Sequence, residues 1–162
     1  MERIQHTITP VYDAQCRILI LGTMPSPKSR ETGFYYGHAQ NRFWRVMAAV
    51  LNTSVPQTIA EKRLFLLDNH IALWDVLQQC EIKGADDSSI RKPVLNDFTL
   101  IFDTADIRQV FTTGAAATKL YTTLSASADR HPTIYLPSTS AANCRISFES
   151  LVEKYSIIKR YL

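Results

Sequence analysis

Four short stretches of the chain are dominated by apolar residues and are bounded by polar or turn-forming ones. A short run without regular alternation indicates a strand that is covered on both faces, as in a parallel sheet. Because proline cannot donate to a sheet ladder, Pro25 and Pro27 end the first strand. The predicted strands are CRILILGT (16–23), HIALWDVL (70–77), IRQVFTT (107–113) and TIYL (133–136).

Helical periodicity occupies much of the chain between these strands. After Asn41, apolar residues fall at i, i+3, i+4, i+7 and i+8, which predicts a helix with one buried face; they are Phe43, Val46, Met47, Val50 and Leu51. Thr58 opens a second helix that runs to about Asn69, because T-I-A-E resembles a capping box. Further helices are predicted over 94–102, after Gly114 and from Ser147. The polar residues 78–93, which contain KGADDSS, are predicted to form a long loop.

The alternation of strands and helices predicts an α/β fold, namely a three-layer α/β/α arrangement with a central parallel four-stranded sheet. A chain of 162 residues is long enough to bury one core, so residues 1–162 are predicted to form a single domain. Ligands of such folds bind at the carboxyl ends of the strands. Three segments follow strands and are therefore candidate binding loops: GTMPSPKS (22–29), TTG (112–114) and LPSTSAANCR (136–145).

Composition and charge narrow the classes of function. Cys16, Cys80 and Cys144 are too few and too far apart for a disulfide framework, and the four histidines lack metal-ligand spacing, so no metal is predicted. No apolar run approaches the roughly 20 residues of a membrane span. MERIQHTITP lacks the apolar region of a signal peptide, so a cytoplasmic protein is expected. The net charge of +3 permits a polyanionic partner without requiring one.

The two short motifs GTMPS (22–26) and LPSTS (136–140) each have two interpretations. Gly22 and Pro25 make a sharp, fixed turn, which either ends the strand or forms one wall of a ligand site. The N–H groups and hydroxyls of LPSTS either hold an anionic oxygen such as a phosphate or cap the next helix. Neither GxxxxGK[ST] nor GxGxxG occurs, so nucleoside triphosphate and dinucleotide binding lose their usual support.

The segment GFYYGHAQNRFW (33–44) places three aromatic residues between two glycines, directly before a helix. The glycines indicate a loop, in which aromatic rings either pack into the core or stack on a planar ligand. Asn41 is a favoured helix cap, and its carboxamide can also orient a water molecule or bond the edge of a base. Basic residues accompany these segments, namely Lys28, Arg30, Arg42, Arg45 and Arg145.

Together these segments resemble the uracil-DNA glycosylase superfamily. GTMPS stands where that family has its first active-site motif, after the first strand, and LPSTS stands where the second motif follows the last strand. TGFYYGHAQNRFW resembles the loop and helix start of the mismatch-specific uracil/thymine glycosylases, in which an aromatic residue and an NRFW-type segment enclose the flipped base. ALWDVLQQCEIKGADDSSI adds to this resemblance, which runs from about residue 16 to residue 160.

Departures from the family pattern narrow the resemblance to one branch. The mismatch-specific enzymes carry Asn in the first motif, as GINPG, where this chain has Met24. They carry Asn at the start of the second motif, and the uracil-specific branch carries His, where this chain has Leu136; many relatives have Pro at Ala141. This combination resembles the hypoxanthine-DNA glycosylase (DNA-deoxyinosine glycosylase) branch, whose catalytic Asn precedes FW and corresponds to Asn41.

The resemblance implies a role for each matching residue. Asn41 would be catalytic and would orient water towards C1′, while Tyr36 would stack on the flipped base. The other base-binding residues would be Gly22, Thr23, Met24, Pro25, His38 and Phe43. For His38 two alternatives stay open, namely a contact with DNA and a contact only within its own loop. DNA contacts are expected from Ser26, Lys28, Arg42, Ser138, Thr139, Ser140, Asn143 and Arg145, and residues 142–145 would fill the vacated stack.

The implied activity is that of a monofunctional deoxyinosine glycosylase without metal or cofactor, because no lysine is placed by motif to attack C1′. Its partner would be double- or single-stranded DNA that contains a deaminated base, and a monomer without membrane association is expected. Two alternatives stay open. One is a uracil or mismatch-specific DNA glycosylase, and the other is a non-catalytic α/β module that binds nucleotides or nucleic acid through the same loops.

Overall fold

Two β-sheets and six α-helices make up the computed structural model, which describes all 162 residues. The strands are β1 (Glu2–Gln5), β2 (Ile18–Gly22), β3 (Ile71–Asp75), β4 (Leu77–Lys83), β5 (Asp86–Leu95), β6 (Gln109–Thr113) and β7 (Thr133–Leu136). The helices are α1 (Pro27–Thr32), α2 (Phe43–Val50), α3 (Ile59–Asp68), α4 (Thr99–Phe102), α5 (Ala115–Leu124) and α6 (Phe148–Tyr155). Short 3-10 helices cover Ala141–Asn143 and Ser156–Arg160.

The central sheet contains the four predicted strands, all parallel, in the order β3-β2-β6-β7. The residues of β2 from Ile18 to Leu21 are fully buried, and because successive side chains point to opposite faces, both faces of this strand are covered. Helix α3 packs against β3, and α5 packs against β6 and β7. The predicted α/β fold with a four-stranded parallel sheet is therefore confirmed.

The helices begin where side chains can cap them. Thr58 accepts a hydrogen bond from the Glu61 N–H and Glu61 reaches back to the cap, so the predicted capping box of α3 is present. Ser147 caps α6 by accepting a hydrogen bond from the Ser150 N–H. Helix α1 was not predicted; Ser26 caps it and Pro27 opens it. No helix is both long and apolar enough to cross a membrane.

A second, antiparallel sheet in the order β1-β4-β5 corrects the prediction of a long loop over 78–93. Irregularities interrupt the pairing of β4 with β5, and the residues of β5 are mostly exposed or half-buried. This strand is held by backbone pairing rather than by apolar burial, so hydrophobic periodicity does not reveal it. Of the helix predicted over 94–102, only α4 is helical in the structure, because residues up to 95 belong to β5.

Candidate functional site

A cavity of about 140 Å³ lies at the carboxyl ends of β2, β3 and β6. The sheet register places Gly22 beside Asp75, so the loops after neighbouring strands meet at one edge. Ten of the predicted residues line the cavity, namely Gly22, Thr23, Met24, Pro25, Ser26, Tyr36, Asn41, Ser138, Thr139 and Ser140. The sequence therefore identified both motifs and the loop between them as neighbours.

The floor of the cavity is polar because the carboxylate of Asp75 and the hydroxyl of Tyr36 converge over Gly22. A Cβ atom at position 22 would lie 2.5 Å from Asp75 Oδ1 and 3.2 Å from the Tyr36 hydroxyl oxygen. The Asp75 side chain is only 6% exposed, and its Oδ2 lies 2.8 Å from Nε2 of His6. Only glycine at position 22 leaves room for this buried carboxylate.

Tyr36 forms a rigid wall of the cavity. Its ring stacks on Phe43 with the centroids 3.9 Å apart, and its hydroxyl shares a 3.2 Å hydrogen bond with Thr113 Oγ1. The backbone of Tyr36 has a φ of 53°, a left-handed conformation that a bulky residue rarely adopts outside constrained sites. Burial, and then the charge of Asp75, raise the pKa of the Tyr36 hydroxyl, so this group remains neutral.

Asn41 is held in one orientation by two donors. Its Oδ1 accepts a hydrogen bond from the Phe43 N–H and another from Thr139 Oγ1, both at 2.9 Å. A carbonyl oxygen has two lone pairs, so these bonds occupy Oδ1 fully. The Asn41 Nδ2 group has no hydrogen-bond partner within the protein, and it is the part of the carboxamide that can bind a ligand in the cavity.

The second motif is tied to the start of α2 by hydrogen bonds that involve three of the residues predicted to contact DNA. Thr139 is 1% exposed and holds Asn41. Arg42 donates to the carbonyl oxygens of Ile146 (2.7 Å) and Asn143 (3.0 Å), so its guanidinium is used within the protein. Asn143 in turn donates to Ser138 O at 2.9 Å. These three side chains shape the loop, because their polar groups are bonded inside it.

The remaining predicted residues lie outside the cavity. Phe43 is fully buried beneath Tyr36, so it supports the wall and cannot contact a ligand, which corrects its predicted base contact. His38 is exposed, and its Nδ1 accepts from the Gln40 N–H at 3.1 Å, within its own loop. Lys28 is exposed and pairs with Glu31 at 3.5 Å. Arg145 is exposed and has no hydrogen bond or ion pair in the protein.

Sequence reasoning missed several residues that line the cavity. Asp75 and Thr113 end β3 and β6, and one signal was present, because Asp75 is an acid at the end of an otherwise apolar run. Ser29 of α1 and Tyr35 also line the cavity, and the other missed residues come from the β4–β5 hairpin, which was predicted as a long loop. Its lining residues are Ile82, Gly84, Ala85 and Asp87.

The hairpin brings a second carboxylate to the cavity. Although Asp87 is exposed as a residue, it also lines the cavity. Burial of its carboxyl group raises the pKa of Asp87, a hydrogen bond with Thr23 partly opposes this, and the charges of Asp75 and Asp86 raise it further. No group of three or more His, Cys, Asp or Glu side chains could hold a metal ion. The chemistry available at the site is thus that of carboxylates, hydroxyls and one carboxamide.

Comparison with known proteins gives a consistent result. The sequence model of the Uracil DNA glycosylase superfamily matches residues 9–155. A Hypoxanthine DNA glycosylase of Methanosarcina acetivorans is 33% identical over 146 residues, which cover 89% of this chain and 91% of the relative. A Hypoxanthine DNA glycosylase of Methanosarcina barkeri is 35% identical over 97 residues, which cover 59% of this chain and 61% of that relative.

A solved structure agrees with the fold. The solution NMR structure of a protein from Methanosarcina acetivorans, proposed to be a uracil DNA glycosylase, superposes with a TM-score of 0.79 and 28% sequence identity. The superposition covers 96% of this chain and 98% of the other. The similarity therefore extends over both sheets.

Proposed function

This chain belongs to the uracil DNA glycosylase superfamily, and we propose that it releases hypoxanthine from deoxyinosine in DNA by hydrolysis of the N-glycosidic bond. The observation that carries this proposal is the cavity at the strand ends, where the acceptor Asp75 and the donor Asn41 face the same small space. The names of the two Methanosarcina relatives support the choice of base. The product would be an abasic site in DNA.

The dimensions of the cavity suit a base that has left the helix. A glycosidic bond in stacked DNA is not accessible, so the nucleotide must be flipped into a pocket, at a cost of a few kcal/mol. The cavity of about 140 Å³ is smaller than the roughly 300–1,000 Å³ of pockets for drug-sized ligands, and a single planar base is a suitable occupant. The rigid Tyr36 wall would stack on that base.

The acceptor at the floor of the cavity supports a deaminated purine as the substrate. An ionised carboxylate only accepts hydrogen bonds. Hypoxanthine has an N–H group at N1, whereas adenine has a lone pair there, which would face Asp75 without a proton between them. Asp75 would therefore bind hypoxanthine and reject adenine, because the wrong base would leave a buried carboxylate unsatisfied.

Asn41 would act on the water that replaces the base. As the bond from C1′ to N9 breaks, the sugar gains positive charge and the base gains negative charge, so the electrophilic C1′ needs a positioned water more than a strong base. The free Nδ2 group of Asn41 would donate to the water oxygen and fix it beside C1′. The water oxygen then bonds to C1′, the base leaves with the bonding electrons and takes up a proton, and the water releases one. No lysine lines the cavity, so no covalent imine is part of this scheme.

The test uses labelled duplexes that carry deoxyinosine, uracil or xanthine opposite each normal base, followed by alkali to cleave abasic sites. We expect alkali-dependent cleavage at deoxyinosine, and a loss of at least about 100-fold in single-turnover rate for Asn41→Ala. Asn41→Asp is the matched variant, because it keeps the acceptor for Thr139 and Phe43 and replaces the Nδ2 donor by a charged acceptor of nearly the same shape. It should be as impaired as the alanine variant if Nδ2 acts on the reaction.

Other outcomes would redirect the proposal. Cleavage only at uracil would retain the superfamily reaction and replace the base. A folded protein that binds DNA but releases no base would favour the binding module. The proposal also includes a monomer that acts in the cytoplasm. Sedimentation of the protein with and without DNA would contradict the proposed monomer if it revealed a dimer.

A further inference from the structure

A buried histidine follows the first strand of the chain and lies behind the floor of the cavity. His6 directly follows β1, and its backbone N–H donates to Gln78 O at 2.7 Å, so it belongs to the small antiparallel sheet. Its side chain is 2% exposed and reaches across to β3, where Nε2 lies 2.8 Å from Asp75 Oδ2. The reaction described above gives this buried imidazole no role.

Packing fixes the position of the imidazole independently of Asp75. The His6 ring lies 6.0 Å from the ring of Tyr35 and 6.4 Å from that of Trp74, measured between centroids. The Tyr35 hydroxyl donates to Thr9 O at 2.9 Å, which holds the segment after His6 against the same aromatic residue. Since two aromatic neighbours pack around the ring, His6 can impose an orientation on the Asp75 carboxylate rather than follow it.

Asp75 requires such a constraint because the terminal torsion of a carboxylate side chain is broad. The bond from His6 occupies Oδ2 and leaves Oδ1 over Gly22, close to the Tyr36 hydroxyl. A carboxylate that turned about this torsion would present its oxygens in another direction, and a base edge would lose its acceptor.

We infer that His6 is a positioning residue, which fixes the Asp75 carboxylate so that Oδ1 faces the N1–H group of the flipped base. The inference rests on the proposed function, since it concerns the base edge of that reaction. His6 contacts no substrate atom in this arrangement. Its effect is on the preference for bases that carry a proton at N1, and not on the cleavage of the bond from C1′ to N9.

The experiment measures this preference without catalysis. The probes are two duplexes, one with deoxyinosine and one with deoxynebularine, whose unsubstituted purine has no proton at N1. Their dissociation constants are measured in an Asn41→Ala background, first with His6 intact and then with two substitutions. His6→Gln places an amide N–H near the position of Nε2, whereas His6→Asn reaches only the position of Nδ1, so the pair differs in the reach of its donor.

With His6 intact we expect the deoxyinosine duplex to bind roughly 10-fold tighter than the deoxynebularine duplex. His6→Gln should keep this ratio to within about threefold, and His6→Asn should remove it by weakening only the deoxyinosine duplex. Equal weakening of both duplexes by His6→Asn, or an unchanged ratio, would overturn the inference. If His6→Asn does not fold, a ratio lost in a folded His6→Gln protein would overturn it as well.

Failure of the proposed function would appear in a different measurement, namely base release by the wild-type protein. A wild-type protein that releases no base from any duplex would refute the glycosylase, but the ratio of the two dissociation constants would still decide whether His6 orients Asp75. Conversely, active enzyme with an unchanged ratio in His6→Asn would refute only the role of His6.

Discussion

Gly22 illustrates how one residue type is dictated by its neighbour rather than by its own backbone. The φ angle of Gly22 is not positive, so a residue with a side chain could adopt its backbone conformation. What excludes a side chain is Asp75 Oδ1, which would lie 2.5 Å from a Cβ atom. Glycine is therefore required in the first motif because the carboxylate of the neighbouring strand occupies the space of a side chain.

Gly22→Ala should therefore displace the Asp75 carboxylate, with a loss of about 1–3 kcal/mol in the free energy of unfolding and a strong loss of activity. Urea denaturation and single-turnover kinetics would measure the two effects. The double variant Gly22→Ala with Asp75→Ala removes the clash, so its stability loss should be smaller than the sum of the single losses. Strict additivity would indicate that Gly22 matters for another reason.

Thr139 provides a second test at single-residue scale. Thr139→Val keeps the shape of the side chain but removes the donor to Asn41 Oδ1, which retains the Phe43 N–H. We expect a loss of about 1 kcal/mol in stability and a fall of roughly 10-fold in the rate of base release, because Asn41 loses its orientation. Thr139→Ser keeps the hydroxyl and should stay close to wild type in rate. A valine variant with wild-type rate would show that the Phe43 N–H is sufficient.

The sequence predicted Asn41 and missed Asp75 for a physical reason. Asn41 stands in a loop with aromatic residues and glycines, where a polar side chain is conspicuous. Asp75 ends a buried strand, and its place at the cavity follows only from the register that pairs it with Gly22. The sequence also does not reveal that polar groups of Arg42 and Thr139 are bonded inside the protein.

The secondary structure elements differ in how visible they are from sequence. The strands of the central sheet are buried on both faces, so their apolar runs stand out at once. The β4–β5 hairpin is partly exposed, irregular in register and rich in charge, so its pairing partners and not its side chains define it. Its tip nevertheless completes the cavity, which is why the missed element also hid four lining residues.

The tip of this hairpin should respond to pH through two neighbouring carboxylates with opposite effects. Burial raises the pKa of Asp87, so the free energy of unfolding falls as pH rises through the ordinary aspartate pKa of about 4 towards the raised one. Hydrogen bonds from the Ser88 hydroxyl and N–H lower the pKa of Asp86, so its contribution is lost as pH falls. Asp87→Asn should accordingly raise Tm at pH 7, whereas Asp86→Asn should lower it.

Thermal melts of both variants at pH 7 and pH 3 would test this pair. Each difference from wild type should shrink at pH 3, where the carboxyl groups become protonated. Because the two residues are adjacent and the substitution is the same, a shared direction of change would mean that altered hairpin packing, not ionisation, controls Tm.

At the scale of the whole molecule, the net charge is only +3, so DNA binding depends on where basic side chains without a partner in the protein lie. Arg145 is exposed and unbonded, whereas the guanidinium of Arg42 holds two carbonyl oxygens. Arg145→Gln should reduce the slope of log K against log salt by about 0.9, the value for one lost phosphate contact. Arg42→Gln should instead lower Tm and leave the slope close to wild type. An equal change in slope for both variants would contradict this distinction.

The cavity is assembled from residues that are spread over most of the chain, from Gly22 to Ser140, with His6 behind its floor. Strand β1, which directly precedes His6, pairs with β4 about 75 positions later, so contacts of long sequence separation must form before the floor exists. No early portion of a growing polypeptide can therefore hold a base. During synthesis on a ribosome, activity would therefore appear abruptly and late, and its appearance would indicate that folding is complete.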